Sequence, residues 1–436
     1  MRFAGTRLKY LNASAMIFFV LPLAAAGWPG NAIAAVEIVD ARDTLDKTVL
    51  GPDLMGGVAE NAFNVYVADR EVFDSNVYRV PSDANLATLV GNSASKRDHI
   101  NSPAAGLDGQ WILGRQVFQL DLSADDNRYS QNTNLNNVSS IDKLLWNWGL
   151  GNVLSGQVGA DFFRSVVSFV NNPSYVRNVY DKTETFAAGR YQVGPHWSIY
   201  GGLLVANVSL DNAESRTNDS RQKSVDMGIE LATGVADTYG IDYRYTDARY
   251  PNAIELNHTS FDPDYRQGRV RFLIKRALSD KTSIDVIAGY SKRNYGDTVI
   301  GSFSGPIWRA SLGWEPTEKS QLIISTWREL QSYVTDETNY YRSTGISASP
   351  VWTVSEKIKA ALVVSREYQA YIGSSPITTN QLARRDTVNV LQGNLTYIPT
   401  RALSFDASYR HEQRDSTQAL RTYTDGLASV GMKFLF

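Results

Sequence analysis

The sequence predicts an all-β protein: a single transmembrane antiparallel β-barrel with long extracellular loops and short periplasmic turns. Three observations carry this prediction. Apolar and polar residues alternate at a period of two, short turns alternate with long polar connections, and the chain closes on an alternating strand ending in Phe436.

The N-terminus comes first. Arg2, Arg7 and Lys9 precede an apolar stretch from Ala13 to Ala26, and Ala32-Ile33-Ala34 follows as a small-x-small cleavage pattern. Residues 1–34 therefore read as a secretory signal peptide. Pro22 interrupts the apolar run, which is shorter than the ~20 residues a membrane-spanning helix requires. Cleavage removes three basic groups and no acidic ones, which moves the net charge from −2 to −5. Residues 35–60, with Asp40, Asp43 and Asp46, read as a short periplasmic lead-in, and the barrel is expected over 61–436.

Composition removes other classes. The chain of 436 residues has no cysteine, so disulfide frameworks, thiolate zinc sites and iron–sulfur clusters are excluded. A net charge of −2 lacks the basic footprint of a nucleic-acid binder. An aromatic content of 11% is too high for a disordered chain. No later segment holds a long enough apolar run for a membrane helix, so any span must be made by strands.

Alternation defines those strands. Val270, Phe272 and Ile274 share one face while Arg269, Arg271 and Lys275 share the other, with Leu273 as the exception. Val225, Met227, Ile229 and Leu231 form a similar apolar face, as do Ile284, Val286, Ala288 and Tyr290, and Leu403, Phe405, Ala407 and Tyr409. Tight links recur at Leu113-Gly114-Arg115, Gly149 to Gly156, Gly194 to His196, Gly234 to Gly240, Leu278 to Thr282, Glu315 to Lys319, Val351 to Glu356 and Ile398 to Arg401. Longer polar stretches lie between them, such as Pro81 to Asn101, Asn171 to Lys182 and Tyr371 to Arg385. Eight short turns and nine long loops give about eighteen strands and place both termini on the periplasmic side. Four strands, the first and fourteenth among them, are weakly patterned, which leaves a sixteen-strand count open.

An internal repeat fits the same layout. Arg328-Glu329-Leu330-Gln331-Ser332-Tyr333 recurs 38 residues later as Arg366-Glu367-Tyr368-Gln369-Ala370-Tyr371, about the length of a hairpin with its links. Trp314 and Tyr397 stand just before short turns, where a barrel carries an aromatic girdle. At the C-terminus, Val430, Met432, Phe434 and Phe436 alternate, with Gly431 between the first two. Gly431, Phe434 and the terminal Phe436 look like the insertion signal that outer-membrane strands present to the barrel-assembly machinery. The expected location is thus the outer membrane of a Gram-negative cell, with outer-membrane lipid around the barrel.

Beyond these patterns, Asp74-Ser75-Asn76-Val77-Tyr78-Arg79, Arg385-Asp386, Tyr397-Ile398-Pro399-Thr400-Arg401 and Arg414-Asp415-Ser416 occur in order before the closing Phe436. In these residues the chain, from about residue 60 onward, resembles a β-barrel porin family associated with bacterial exopolysaccharide operons. Its EpsL-like, exosortase-associated members are the most similar. The resemblance implies an outer-membrane conduit for a secreted polysaccharide, with the polymer and periplasmic polysaccharide-export components as partners, and it supplies no catalytic residue.

Site chemistry is sparse. The four histidines, His99, His196, His258 and His411, are far apart in sequence, and no metal or other cofactor is expected. No hydrolase signature is present, so the chain reads as a non-enzyme. Candidate lumen residues are Arg190, Arg244, Arg269, Arg271, Lys275, Asp285 and Arg410, all placed inward by alternation. Arg269 and Arg271 should project about 7 Å apart on one wall, a spacing suited to gripping a sugar carboxylate or hydroxyls, with Asp285 beside them. The residues themselves leave a general diffusion porin for small solutes and a non-conducting surface scaffold or adhesin open as alternatives.

Overall fold

The computed structural model describes residues 61–170, 174–234, 237–252, 255–256, 259–260, 262–296, 301–332, 340–372 and 384–436. The expected signal peptide and lead-in lie outside these residues, as does His258.

Strands of 13 to 16 residues dominate, because each carries the period-two pattern over more than the ~9–11 residues that a tilted membrane crossing requires. In chain order they are β1 (Ala62–Asp74), β2 (Asp98–Asn101), β3 (Ala104–Leu113), β4 (Gln116–Tyr129), β5 (Asn137–Leu150), β6 (Leu154–Val166) and β7 (Val179–Gln192). Next come β8 (Trp197–Leu210), β9 (Ser220–Ala232), β10 (Thr238–Arg249), a two-residue pair β11 (Glu255–Leu256) and β12 (Thr259–Ser260), and β13 (Tyr265–Ser279). The last are β14 (Thr282–Tyr295), β15 (Phe303–Thr317), β16 (Ser320–Ser332), β17 (Tyr340–Ser355), β18 (Ile358–Ile372), β19 (Arg385–Thr400), β20 (Leu403–Ser416) and β21 (Tyr423–Leu435).

All except β11 and β12 belong to one closed antiparallel sheet. Closure is made by β1 on β21, with Tyr66 opposite Leu435 and Asp74 opposite Leu427. That seam leaves no unpaired edge, the condition for crossing lipid as strands. The sheet contains nineteen segments but eighteen spans. β2 and β3 are one strand interrupted at Ser102-Pro103, since both hold a single register against β1, with Glu71 opposite Asn101 and Ala68 opposite Ala104. Pro103 has no N–H to give the ladder. Ser102 exchanges backbone bonds of 2.8 and 3.3 Å with Arg70 and carries the register across the break.

Eight short turns and both barrel termini share one end, and the long connections share the other. This is the predicted layout, with tighter boundaries. The turn expected over Gly149–Gly156 is residues 151–153, with Gly151 at a φ of 58°. The turn expected at Val351–Glu356 falls at 356–357, because β17 runs on to Ser355. The loop expected from Pro81 to Asn101 instead gives Asp98–Asn101 to β2, and β18 extends to Ile372. In each case strand pairing continues into residues that composition assigns to the turn or loop.

The outer face is apolar. Leu203, Met227, Phe272, Ile346 and Val430 are all more than half exposed. An exposed belt of this kind is stable against lipid and a liability in water. Trp314 and Tyr397 stand on this face near the short-turn end, joined there by a Trp111–Phe118–Trp146 stack with ring centroids 5.6 and 5.8 Å apart. Phe434 and Phe436 face outward as well, 5.1 Å apart, whereas Gly431 faces inward beside Asp406.

Candidate functional site

The lumen is built by the opposite face of the same strands, so its chemistry is fixed by register. On β9, β10 and β13, Asp226 pairs with Arg244, which pairs with Arg269, in one row across the sheet. The next row toward the short-turn end runs Gly228, Asp242, Arg271 and, on β14, Gly289. Opposite charges directly across strands attract. Arg271 donates two bonds to the Asp242 carboxylate, at 2.8 and 2.7 Å, and lies 3.9 Å from Asp226. Arg244 donates to Asp226. Two glycines make this second row possible. A Cβ at Gly228 would fall 2.4 Å from the Tyr200 ring, whose hydroxyl reaches Asp242 at 3.4 Å, and one at Gly289 would fall 2.0 Å from the Val270 carbonyl oxygen.

All seven candidate lumen residues face inward. Arg190 on β7 bonds Glu230 and Ser198 and lies 5.4 Å over Tyr200, joining Arg244, Arg269 and Arg271 on one wall. Lys275 and Asp285 form a separate pair, 3.9 Å apart, nearer the short turns. Asp285 therefore accompanies Lys275, its register partner, and not the Arg269 and Arg271 pair beside which it was expected. Arg410 stands on β20, away from that wall, and bonds Glu412, which also accepts from Tyr423. Arg269 and Arg271 are 4% and 3% exposed, so the expected open sugar grip is instead a packed ion-pair row.

Leu273, the exception in its strand's pattern, packs inside the lumen with Phe186, Tyr200, Leu204 and Ala206. A run of three consecutive apolar residues in an alternating strand is the signal for this inward apolar layer. Bordering this layer through Phe186, a cavity of about 350 Å³ is lined by Asp108, Asp121, Asp161 and Lys143.

Higher in the lumen lie arginine sites that sequence reasoning missed. Arg293 donates twice to Gln267, at 2.9 and 2.7 Å, and lies 3.9 Å over the Tyr265 ring. Arg384 and Arg414 converge on Asp386, with Nη···Oδ2 distances of 2.6 and 2.7 Å. Arg293 and Arg414 find their partners 26 and 28 residues away on a neighbouring strand, and Arg384 reaches Asp386 from the loop before β19, placements that alternation alone does not assign.

The outer mouth is partly closed by loops. Val77, Tyr78, Val80 and Leu86 of the first connection pack with Leu135 of the second and Phe169 and Tyr175 of the third. Tyr78 lies 4.9 Å from Phe169 and bonds Asn132 at 3.2 Å. Burial pushes the phenols of Tyr78 and Tyr175 above their ordinary range. A short helix, Leu86–Leu89, starts on Asn85, whose side chain accepts from the Ala87 N–H at 3.0 Å. Arg421 of the last connection donates to the Val170 carbonyl of the third at 3.3 Å. The Asp74–Arg79 segment is a clasp at the seam. Arg79, at a φ of 53°, pairs with Asp74 at 2.9 Å and Asp425 at 3.2 Å, and Asn76 bonds the Val80 and Thr424 carbonyls.

Residues 241–436 match a family model described as "Putative beta-barrel porin 2". This C-terminal part of the barrel is thus similar to a β-barrel porin family. The match begins inside β10 and runs through the C-terminal strand. No curated protein matches the sequence. Among solved structures, OccAB3 of Acinetobacter baumannii is similar at 10% identity with a TM-score of 0.45, covering 86% of this chain and 99% of that one. OpdL of Pseudomonas aeruginosa is similar at 11% identity and a TM-score of 0.44, with 87% and 99% covered. OccK2 (OpdF) of the same organism, solved in complex with glucuronate, is similar at 10% identity and a TM-score of 0.46, with 86% and 98% covered.

Proposed function

We propose that the barrel is an outer-membrane channel for small hydrophilic solutes, narrowed at its outer mouth. The observation that carries this reading is the loop cap. Four connections knit over one side of the mouth through the Tyr78–Phe169 stack and the Arg421–Val170 bond. Small solutes can pass beside such a cap, whereas an extending polymer needs a bore wider than a sugar ring along its whole length. The lumen charges support the same use. Partly exposed lumen pairs such as Lys275–Asp285 offer polar contacts while leaving little net charge to trap a passing solute.

Reconstituted barrel tests this directly. Planar-bilayer recordings should show ion conductance, and liposome swelling should fall as neutral sugars grow from mono- to trisaccharide. Absence of conductance would sink the reading and leave a surface scaffold or adhesin. The resemblance to exopolysaccharide-associated porins favours a second reading, a polymer conduit. Loss of polymer release on gene deletion, from a barrel impermeable to simple sugars, would put that reading first.

A further inference from the structure

The wall of β16 to β19 carries four arginines on its lipid-facing side: Arg328, Arg342, Arg366 and Arg385. Their direction follows from their neighbours. Glu329 on β16 bonds Arg309 in the lumen at 3.0 and 2.9 Å, and Glu367 on β18 accepts from lumen-facing Ser343 and Gln369. The adjacent Arg328 and Arg366 therefore point out of the barrel. The arginine–glutamate repeat thus places glutamate inside and arginine outside on both strands. Both arginines stand eight residues beyond the start of their strands, Ser320 and Ile358. At ~3.3 Å per residue and a tilt of ~40°, that is about 20 Å above the short-turn end, in the outer leaflet. Below them the outward positions are mainly apolar, as Leu322 and Ile324 or Leu362 and Val364.

Elsewhere four outward arginines have carboxylates, although Arg221 on β9 has none among the described residues. Arg164 pairs with Asp181 at 3.1 Å, Arg249 with Asp264 at 3.0 Å, Arg266 with Asp247 at 3.6 Å and Arg276 with Asp237 at 3.8 Å. Among the described residues, none of the four on β16 to β19 has such a partner. The Nε of Arg328 is buried without a hydrogen bond. Two of the four rest on aromatic rings that aim them, Arg328 at 5.4 Å over Trp308 and Arg366 at 5.3 Å over Tyr368. Arg342 and Arg385 line a groove of about 440 Å³ above them, together with Thr344, Tyr368 and Thr387, and with Asp415 on its far edge. An unpaired arginine facing hydrocarbon is destabilising by ~2–4 kcal/mol at the bilayer midplane and by little at the interface, where it meets headgroups. With no ion-pair partner among the described residues, and Asp415 only at the far edge of the groove, the four together can accept anions from outside the chain.

We infer that this wall is a binding site for the phosphate groups of the glycolipid that forms the outer leaflet of a Gram-negative outer membrane. Arg328 and Arg366 lie two strands apart and two residues out of register, about 12 Å from the 4.7–4.9 Å strand spacing and the ~3.3 Å rise per residue. They hold phosphates by forked, charge-assisted bonds, while the apolar positions below them take the acyl chains.

The test uses the purified full-length barrel in detergent, with bound lipid counted by native mass spectrometry. Wild type should retain bis-phosphorylated lipid A in preference to its phosphate-free form and to phosphatidylethanolamine. Arg328→Gln with Arg366→Gln should weaken lipid A retention about thirtyfold, from ~1 kcal/mol per cation near a charged headgroup. Arg266→Gln, at an ion-paired outward position, should leave retention unchanged. Equal retention by a double variant that still migrates as a folded barrel overturns the site. So does equal retention of phosphate-free lipid A by wild type, a comparison that decides the matter even if the double variant does not fold. Loss of a concentration-dependent dimer in the double variant, with lipid A retention intact, would assign the wall to a second copy of the chain and overturn the lipid site.

Discussion

Arg271 on β13 and Asp242 on β10 sit directly across from each other and share two hydrogen bonds of 2.8 and 2.7 Å inside the lumen wall. Both are almost fully buried, so each depends on the other for the solvation it lost on folding. Arg271→Ala or Asp242→Ala alone should destabilise the barrel by about 3–5 kcal/mol, because each leaves an uncompensated buried charge. Replacing both by leucine should cost less than either single change. Urea unfolding in micelles, followed by tryptophan fluorescence, measures it. A double variant as unstable as the sum of the single alanine variants would show that the two do not act as a pair.

Glycine marks where this row is tightest. A Cβ on Gly289 would stand 2.0 Å from the Val270 carbonyl oxygen and 2.9 Å from the Arg271 Cα, both backbone atoms of the neighbouring strand. Gly289→Ala must therefore move β14 against β13 and should cost at least the ~1–3 kcal/mol of ordinary overpacking. Gly393→Ala meets nothing within 4 Å and should stay within about 0.5 kcal/mol of wild type. The same unfolding assay ranks the two.

Orientation follows from the turn lengths. Ser93, exposed in the first long connection, should be extracellular, and Glu318, exposed in a short turn, periplasmic. The chain contains no cysteine, so Ser93→Cys and Glu318→Cys each introduce a single thiol. An impermeant maleimide should label the first on intact cells and the second only after the outer membrane is opened. The opposite pattern would invert the barrel.

Much of this architecture can be read from the sequence because alternation is a local property. Val270, Phe272 and Ile274 face lipid, and Arg269, Arg271 and Lys275 face the lumen, as their spacing alone requires. What alternation lacks is register. It places Asp285 inward but does not say that Lys275, rather than Arg271, stands opposite it. Nor does it bring Arg414 on β20 to Asp386 on β19, or Arg384 from the preceding loop to the same carboxylate. The loop cap was hidden for a related reason. Tyr78, Leu135 and Phe169 belong to three connections and share no period, so only the closed barrel brings them together. The outward arginines lay in plain sight in the repeat, yet which of each arginine–glutamate pair faces lipid depends on the strand's phase.

That cap supplies the sharpest test of the channel. Tyr78 is fully buried, with its ring 4.9 Å from Phe169 and 6.4 Å from Tyr175 and its hydroxyl on Asn132. Truncating a buried aromatic of this kind removes about 3–5 kcal/mol of local packing. Polar ties to the sheet such as Asn76–Thr424 and Asn132–Asp98 do not involve this ring, so the loss should loosen the cap's apolar centre and leave the barrel's hydrogen-bonded wall in place. Tyr78→Ala should therefore raise single-channel conductance severalfold and move the size cutoff in liposome swelling toward larger sugars. Its urea midpoint should remain close to wild type, in contrast to the Arg271 and Asp242 variants. Arg421→Ala, which removes the tie between the last connection and Val170, should act in the same direction with a smaller effect. If both variants fold and conduct as wild type does, the cap does not narrow the path, and the argument for small solutes over a polymer loses its main support.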